Sequence, residues 1–415
     1  MDHKLEIGHE EDIPPSGDSI QQNIGFDKDP VQHDPQGFPV IPQPSSHKDD
    51  PLNWSPALKL SVCLQISWLA LLEPLASAVV NPTFLLMGEN FDLSVKDVSY
   101  VWLVSAGIGP LIVIPFANVY GRRPVYLLGN LLAVITTITA GYCNTWAGIM
   151  VTRAFNGFGS GSVISMGAAT ICDLYFVHQR GVYLGIYTFA LTSGAHVAPL
   201  LGGFIGQSLG WRACFYIPGY IQLATFVLTI FCLPETLYTT KYPSDSGHYE
   251  EQSYMQNIMF RRSKVPGGRP KIRDFTRPFE MLKFVAISLT GTFYMVCFGY
   301  GGVIFALTGA SLFNKLYGFN TAETGLILSL PLLIGGGLGE LSGGWVTDWL
   351  SNHHAKRHNG ERLPEARLTA IWGALLIPIG LTIEGICLSH AKTTSWVGSA
   401  FGIVTDPKVQ KYRQF

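Results

Sequence analysis

Charge along this chain is segregated in a way that leaves little freedom of fold. Between residues 59 and 389, nine runs of about twenty residues carry almost no Asp, Glu, Lys or Arg, and the ionisable residues collect in the breaks. The runs are 59–81, 98–118, 125–143, 146–172, 182–207, 211–233, 284–308, 323–347 and 369–389. Each is long enough to cross a hydrocarbon layer of about 30 Å as a helix. Only 14% of the 415 residues are charged, against about a quarter in soluble domains. A soluble two-domain protein is excluded, and an all-α polytopic membrane protein is the expected class. The apolar stretch 396–404 is too short to span.

The breaks divide the chain. Residues 1–56 are rich in Pro, Asp, His and Gln, cannot bury a core, and read as a disordered tail. A six-helix bundle is expected over 57–236, a basic central loop over 237–283, and a partial bundle of three spans and a fragment over 284–404. Residues 405–415 form a polar ending unlike a continuing tenth span, so the second half is expected to be incomplete. There is no basic-then-apolar leader at the N-terminus. Seven scattered Cys without paired spacing indicate neither a disulfide framework nor a metal site, and no cofactor is expected. A net charge of −1 gives no cue to a nucleic-acid partner.

Lys and Arg fix an expected orientation. If the N-terminus is cytoplasmic, the loops after even-numbered spans are too. Those carry Arg122 and Arg123, Arg180, the basic central loop, and Lys356, Arg357, Arg362 and Arg367. The opposite side has Lys96, Arg212, Lys315 and Lys392.

The loop after the second span reads Pro115-Phe-Ala-Asn-Val-Tyr-Gly-Arg-Arg-Pro124. Gly121 permits a tight turn, and the arginines can engage carbonyls or acids at helix ends; ordinary charge anchoring is the alternative. Six spans later, Gly343-Gly-Trp-Val-Thr-Asp348 precedes another basic loop, and Asp348 could accept hydrogen bonds at the start of a following helix. The recurrence points to the internal duplication of secondary carriers.

With these loops stand further motifs in order: Asp50-Pro-Leu-Asn-Trp-Ser55, Arg153-Ala-Phe-Asn-Gly157, Gly194-Ala-His-Val-Ala-Pro199-Leu-Leu-Gly202-Gly203, Leu233-Pro-Glu-Thr236 and Pro364-Glu-Ala-Arg-Leu368. Together they resemble the major facilitator superfamily, in its fungal drug:proton antiporter type with twelve spans, over about residues 39–403. The resemblance implies a proton-coupled secondary exporter of amphipathic or cationic small molecules such as drugs, toxins, secondary metabolites or polyamines. It implies alternating access, a monomer in the lipid bilayer, and the plasma membrane rather than the vacuole. Gly194, Pro199, Gly202 and Gly203 then belong to the motif typical of exporters, and Gly121, Arg122, Arg123 and Asp348 to gating loops. Two positions depart from the family pattern: Asn118 stands where an acid is usual and Ile114 where a small residue is usual. Gating at that loop must therefore rely on other contacts or be looser.

Within the spans, Arg153 is a charge costing about 2.5–3.5 kcal/mol at membrane depth, so it should face a partner or a wet cavity, unless it snorkels to the near surface. The resemblance assigns it to proton handling. Glu73 lies near the middle of the first span beside Pro74, which leaves a carbonyl unpaired where a cavity is lined. An apolar surround favours its neutral form and a nearby Arg153 its charged form, the competition that proton coupling needs; a glutamate bonded to a neighbouring helix for packing is the alternative. His196 could titrate near neutral pH or be held by a hydrogen bond. Tyr294 and Tyr300 are expected to face the cavity. A second reading, from another class, is a membrane protein that does not transport. No clustered His/Asp/Ser and no nucleotide loop point to an enzyme or an ATP-driven pump.

Overall fold

The computed structural model describes residues 32–33, 40–45, 50–91, 100–237, 270–299, 305–357, 376–390 and 396–398. Among them every regular element is a helix: α1 Pro56–Ala78, α2 Phe84–Phe91, α3 Tyr100–Tyr120, α4 Arg122–Tyr142, α5 Trp146–Leu174, α6 Val177–Leu209, α7 Ala213–Cys232, α8 Ile272–Glu280, α9 Val285–Phe298, α10 Phe305–Tyr317, α11 Thr321–Arg357 and α12 Leu376–Ser389, with short 3-10 turns between.

Local chemistry sets the helix ends. The Ser55 side chain accepts from the Leu58 amide at the start of α1, with Pro56 at the first helical position. Thr145 caps α5 through the Gly148 amide. Gly121, at φ 110°, makes the sharp junction between α3 and α4, as the turn required.

Among the described residues, five helical stretches are long and apolar enough to cross a membrane unaided: Pro56–Phe91, Arg122–Tyr142, Gln179–Leu209, Ala213–Cys232 and Thr321–Gly339. At 29 residues α5 is long enough but falls short in hydropathy, because Arg153, Asn156 and a Gly/Ser run dilute it. Those small residues bring it close to its neighbours. A Cβ on Gly161 would lie 2.2 Å from the Ala106 carbonyl oxygen of α3, and one on Gly159 2.7 Å from the Gly129 oxygen of α4. In lipid, where apolar burial cannot drive helices together, such close backbone packing is the main attraction.

α1 to α7 form one bundle with two apolar clusters. Val62, Ile66, Leu69, Tyr126, Met166 and Leu174 fill the end that carries Arg122, here the arginine end. Val80, Phe84, Met87, Ile149, Trp211 and Phe215 fill the far end. α11 packs along α6, while α10 meets the Asn81–Thr83 turn and α2 at the far end.

Three expectations need correction. The segment ahead of α1 is docked where it joins the bundle. Asp50 is buried, its carboxylate accepts from the Ser45 and Leu52 amides, and the Lys59 ammonium donates to the Leu52 carbonyl. The Ile41 carbonyl accepts from Val177 at the start of α6. The seventh apolar region does not end at 308: α9 is followed by α10, which runs to Tyr317. Finally, Asp348 is not in a loop or at a helix start. Without Gly or Pro between Trp345 and Arg357, α11 continues uninterrupted past it. The basic central break also contains α8, whose axis turns by 89° into the following helix. Tyr300 and the 405–415 ending lie outside the described residues.

Candidate functional site

At the arginine end the Gly121-Arg-Arg turn is clasped by two acids. The Arg122 guanidinium forms a two-pronged ion pair with Asp173 at the end of α5, its Nη2 3.2 Å from Oδ1 and its Nε bonded to Oδ2. The Glu235 carboxylate accepts from the Arg122 and Arg123 backbone amides at 2.9 and 3.2 Å, capping the N-terminus of α4 where orphan N–H groups and the helix dipole favour an anion. Arg123 in turn donates from Nη2 to the Ile230 carbonyl, 2.7 Å away near the end of α7. Arg180 donates to the Cys172 and Tyr175 carbonyls, closing the end of α5. Asn118, in the place of the usual acid, is exposed. Asp173 and Glu235 supply the anchoring contacts of this loop. Asp173 drew no notice in the sequence, and Glu235 drew it only as part of a motif; an acid in the last turn of an apolar run was the available signal.

In the middle of the bundle, Glu73 and Arg153 do not pair. Glu73 is 1% exposed and its Oε2 accepts from Gln222 Nε2 of α7 at 3.1 Å. Arg153 is half-buried, its Nη2 donating to the Ser77 carbonyl at 3.1 Å while the guanidinium stacks 5.2 Å from the Phe215 ring. Ser77 lies in the last turn of α1, whose carbonyls have no partner within the helix, so Arg153 acts as a cap on the negative end of the α1 dipole. Around it, Thr136, Thr137, Ala140, Thr152, Asn156 and Phe215 line a narrow crevice. Asn156 fastens α5 to α4 through the Ala133 carbonyl and the two threonine hydroxyls. Gln222 went unremarked in the sequence, although a lone amide in the apolar run 211–233 is a visible signal.

Glu73 is one rung of a polar seam between α1 and α7. Gln65 Nε2 donates to Thr229 Oγ1 at 3.4 Å, Trp68 Nε1 to Thr225 Oγ1 at 3.1 Å, and Gln222 to Glu73. The residues advance by three to five on α1 as they retreat by three or four on α7, as two antiparallel helical faces require.

The Gly194–Gly203 stripe packs α6 tightly against α1 on one face and α11 on another. A Cβ on Gly194 would stand 2.1 Å from the Leu71 carbonyl oxygen of α1, and on Gly202 1.7 Å from that of Val79, so only glycine fits. On the neighbouring face Gly203 and Pro199 meet α11 at Gly325, where a Cβ would lie 2.4 Å from the Pro199 oxygen. His196 bonds through its backbone carbonyl to the Ser329 hydroxyl, and its ring faces Gly336 of α11. Gln207 accepts from the Ala322 amide at 3.0 Å, capping α11. Tyr294 is 68% exposed on α9. Asp348 shares no element with the Arg122 clasp, and its side chain lies outside the described residues.

Glycine contacts thus press α6 onto α1 on one face and onto α11 on the other, and the basic turn is clasped at one end of the bundle. The sequence profile of the Major Facilitator Superfamily matches residues 66–405. The chain belongs to the major facilitator superfamily. Among similar proteins, the MFS-type transporter penM of Penicillium rubens is 29% identical over 364 residues, covering 85% of this chain and 70% of that protein. The efflux pump radE of Floropilus chiversii is 27% identical over 354 residues, 81% of this chain and 64% of its own length. Among solved structures, a D-xylose-proton symporter superposes with a TM-score of 0.56 at 16% identity, over 83% of this chain and 79% of that one. The xylose transporter XylE from E. coli, partially occluded and inward open, gives 0.57 at 16% identity, over 84% and 83%. This superfamily member is thus a multi-pass membrane transporter of small molecules, and neither its family nor these relatives are enzymes.

Proposed function

We propose that this transporter is a proton-coupled exporter of amphipathic or cationic small molecules, with its N-terminus and arginine end cytoplasmic, in the plasma membrane. The observation that carries the reading is Glu73, a carboxyl enclosed in the first helix with an amide, not a cation, as its partner. An acid so placed exchanges a proton as its surroundings change, whereas an acid locked to arginine does not. Arg153 ties α5 to the end of α1 one turn beyond Glu73, so a shift at the acid passes to the helix that follows. His196, with its ring at the α6–α11 contact, is a second titratable group on the path between halves. Export, rather than uptake, is supported by the Gly194–Gly203 stripe and by similarity to an efflux pump. Among the described residues, the contacts between α6 and α11 include Gln207–Ala322, Gly203–Gly325 and His196–Ser329. We infer that Tyr294 and the matching part of the seventh span border the substrate path.

The test uses the purified chain in lipid vesicles, with ethidium as an amphipathic cation probe. An imposed proton gradient should drive ethidium uphill in wild type, and Glu73→Gln should abolish that drive while leaving downhill exchange. Ethidium movement indifferent to the proton gradient would reject the coupled reading.

A further inference from the structure

The three rungs between α1 and α7 differ in kind. Gln65–Thr229 and Trp68–Thr225 join neutral donors to neutral acceptors. The third brings a carboxyl and a primary amide into contact and leaves one oxygen of each, Glu73 Oε1 and Gln222 Oε1, buried without a hydrogen-bond partner. An ionised carboxylate accepts only, so it cannot satisfy the amide oxygen. A proton on the carboxyl would turn this contact into a two-bond acid–amide pair, the O–H donating to the amide carbonyl while the amide N–H donates to the other carboxyl oxygen. Both residues are almost completely enclosed, Glu73 at 1% and Gln222 at 0% exposure, so water is a poor substitute.

Among the described residues, the charged and titratable side chains on the helices packed against α1 face partners other than Glu73: Tyr183 stacks on Tyr175, Cys214 donates to the Gly202 carbonyl and Tyr220 bonds to Tyr142. From α5, Arg153 is turned to the Ser77 carbonyl, and Asp173 pairs with Arg122 at the arginine end. From α6, the His196 ring faces Gly336, the Tyr187 hydroxyl donates to the Ile164 carbonyl, and Arg180 closes the end of α5. α7 carries no Asp, Glu, Lys or Arg, and its Tyr216 hydroxyl donates to the Gly141 carbonyl. Glu73 thus answers to Gln222.

We propose that Glu73 and Gln222 form a reciprocal acid–amide clasp that closes α1 onto α7 only when Glu73 is protonated, with Gln222 as the positioning residue. The inference rests on the proton-coupled reading and names the partner through which it works. In the release step the Glu73 O–H bond breaks, the proton passes to water admitted to the seam, and the carboxylate keeps the electron pair. The O–H···O bond to Gln222 is lost, while Gln65 and Trp68 hold their neutral rungs.

Infrared difference spectroscopy of the full chain in lipid vesicles, between acidic and alkaline pH, reads the clasp directly. A carboxylic-acid C=O band at a hydrogen-bonded frequency is expected in wild type, and it should vanish in Glu73→Gln. In Gln222→Leu the band should move to the frequency of an acid without a hydrogen bond. The double exchange Glu73→Gln with Gln222→Glu, which keeps one acid and one amide, should restore the bonded band and the wild-type pH profile of ethidium exchange. It also serves where the single variants fold poorly. Absence of the band in wild type, or its persistence in Glu73→Gln, overturns the clasp even if transport is proton-driven. A band that behaves as expected beside proton-indifferent ethidium exchange upholds the clasp and overturns the coupling instead.

Discussion

The arginine end and the middle of the bundle handle buried charge in opposite ways. At the end, charge meets charge, as Arg122 grips Asp173. In the middle, charge meets neutral dipoles: Glu73 has an amide, and Arg153 a backbone carbonyl and an aromatic face. A paired ion is costly to uncouple, because the partner is left alone in a poor dielectric. An ionisable group held by a dipole can gain or lose a proton without abandoning a counter-ion. The end is built to hold and the middle to change.

The strongest blow falls on the glycine stripe. Gly202→Val, with no room between α6 and the Val79 carbonyl, should cost more than about 3 kcal/mol and abolish folded protein in detergent, read by thermal unfolding. Next, Asp173→Ala strands Arg122, and should destabilise by about 3 kcal/mol, the scale of a broken buried pair. Arg153→Met removes a charge held by one carbonyl and one aromatic face, and should cost about 1–2 kcal/mol, less than a broken ion pair. If the two arginine-site variants proved equally damaging, the distinction between end and middle would fail. The smallest effect sharpens the control: Gly185 has open space around its Cβ, so Gly185→Ala should stabilise α6 by about 0.5–1 kcal/mol in the same assay.

The bundle was legible because its main determinant is one-dimensional. Apolar runs broken by Arg, Gly and Pro mark spans whatever their neighbours, and α1, α4, α6 and α7 begin and end close to where those runs do. Gly121 and its arginines were legible too, since a turn and a charge declare their use locally. Partnerships were not. Nothing between Glu73 and Gln222, or between Arg122 and Asp173, tells which side chains the bundle brings together, and the nearness of Arg153 to Glu73 in the family pattern suggested the wrong pair. Asp348 misled for another reason: a motif placed it at a loop, but helix continuation is decided by the absence of a breaker downstream. The extension of α10 past 308 was hidden by Thr308 and Gly309, which closed an apolar count without ending a helix that runs on through Asn314 and Lys315.

The contrast between holding and changing is tested most directly by the pH profile of ethidium exchange in vesicles, measured side by side for Glu73→Gln and Asp173→Asn. The account expects Glu73→Gln to flatten the profile, and Asp173→Asn to lower the rate at every pH while keeping the wild-type shape. A wild-type profile in Glu73→Gln, or a flattened one in Asp173→Asn, would contradict it.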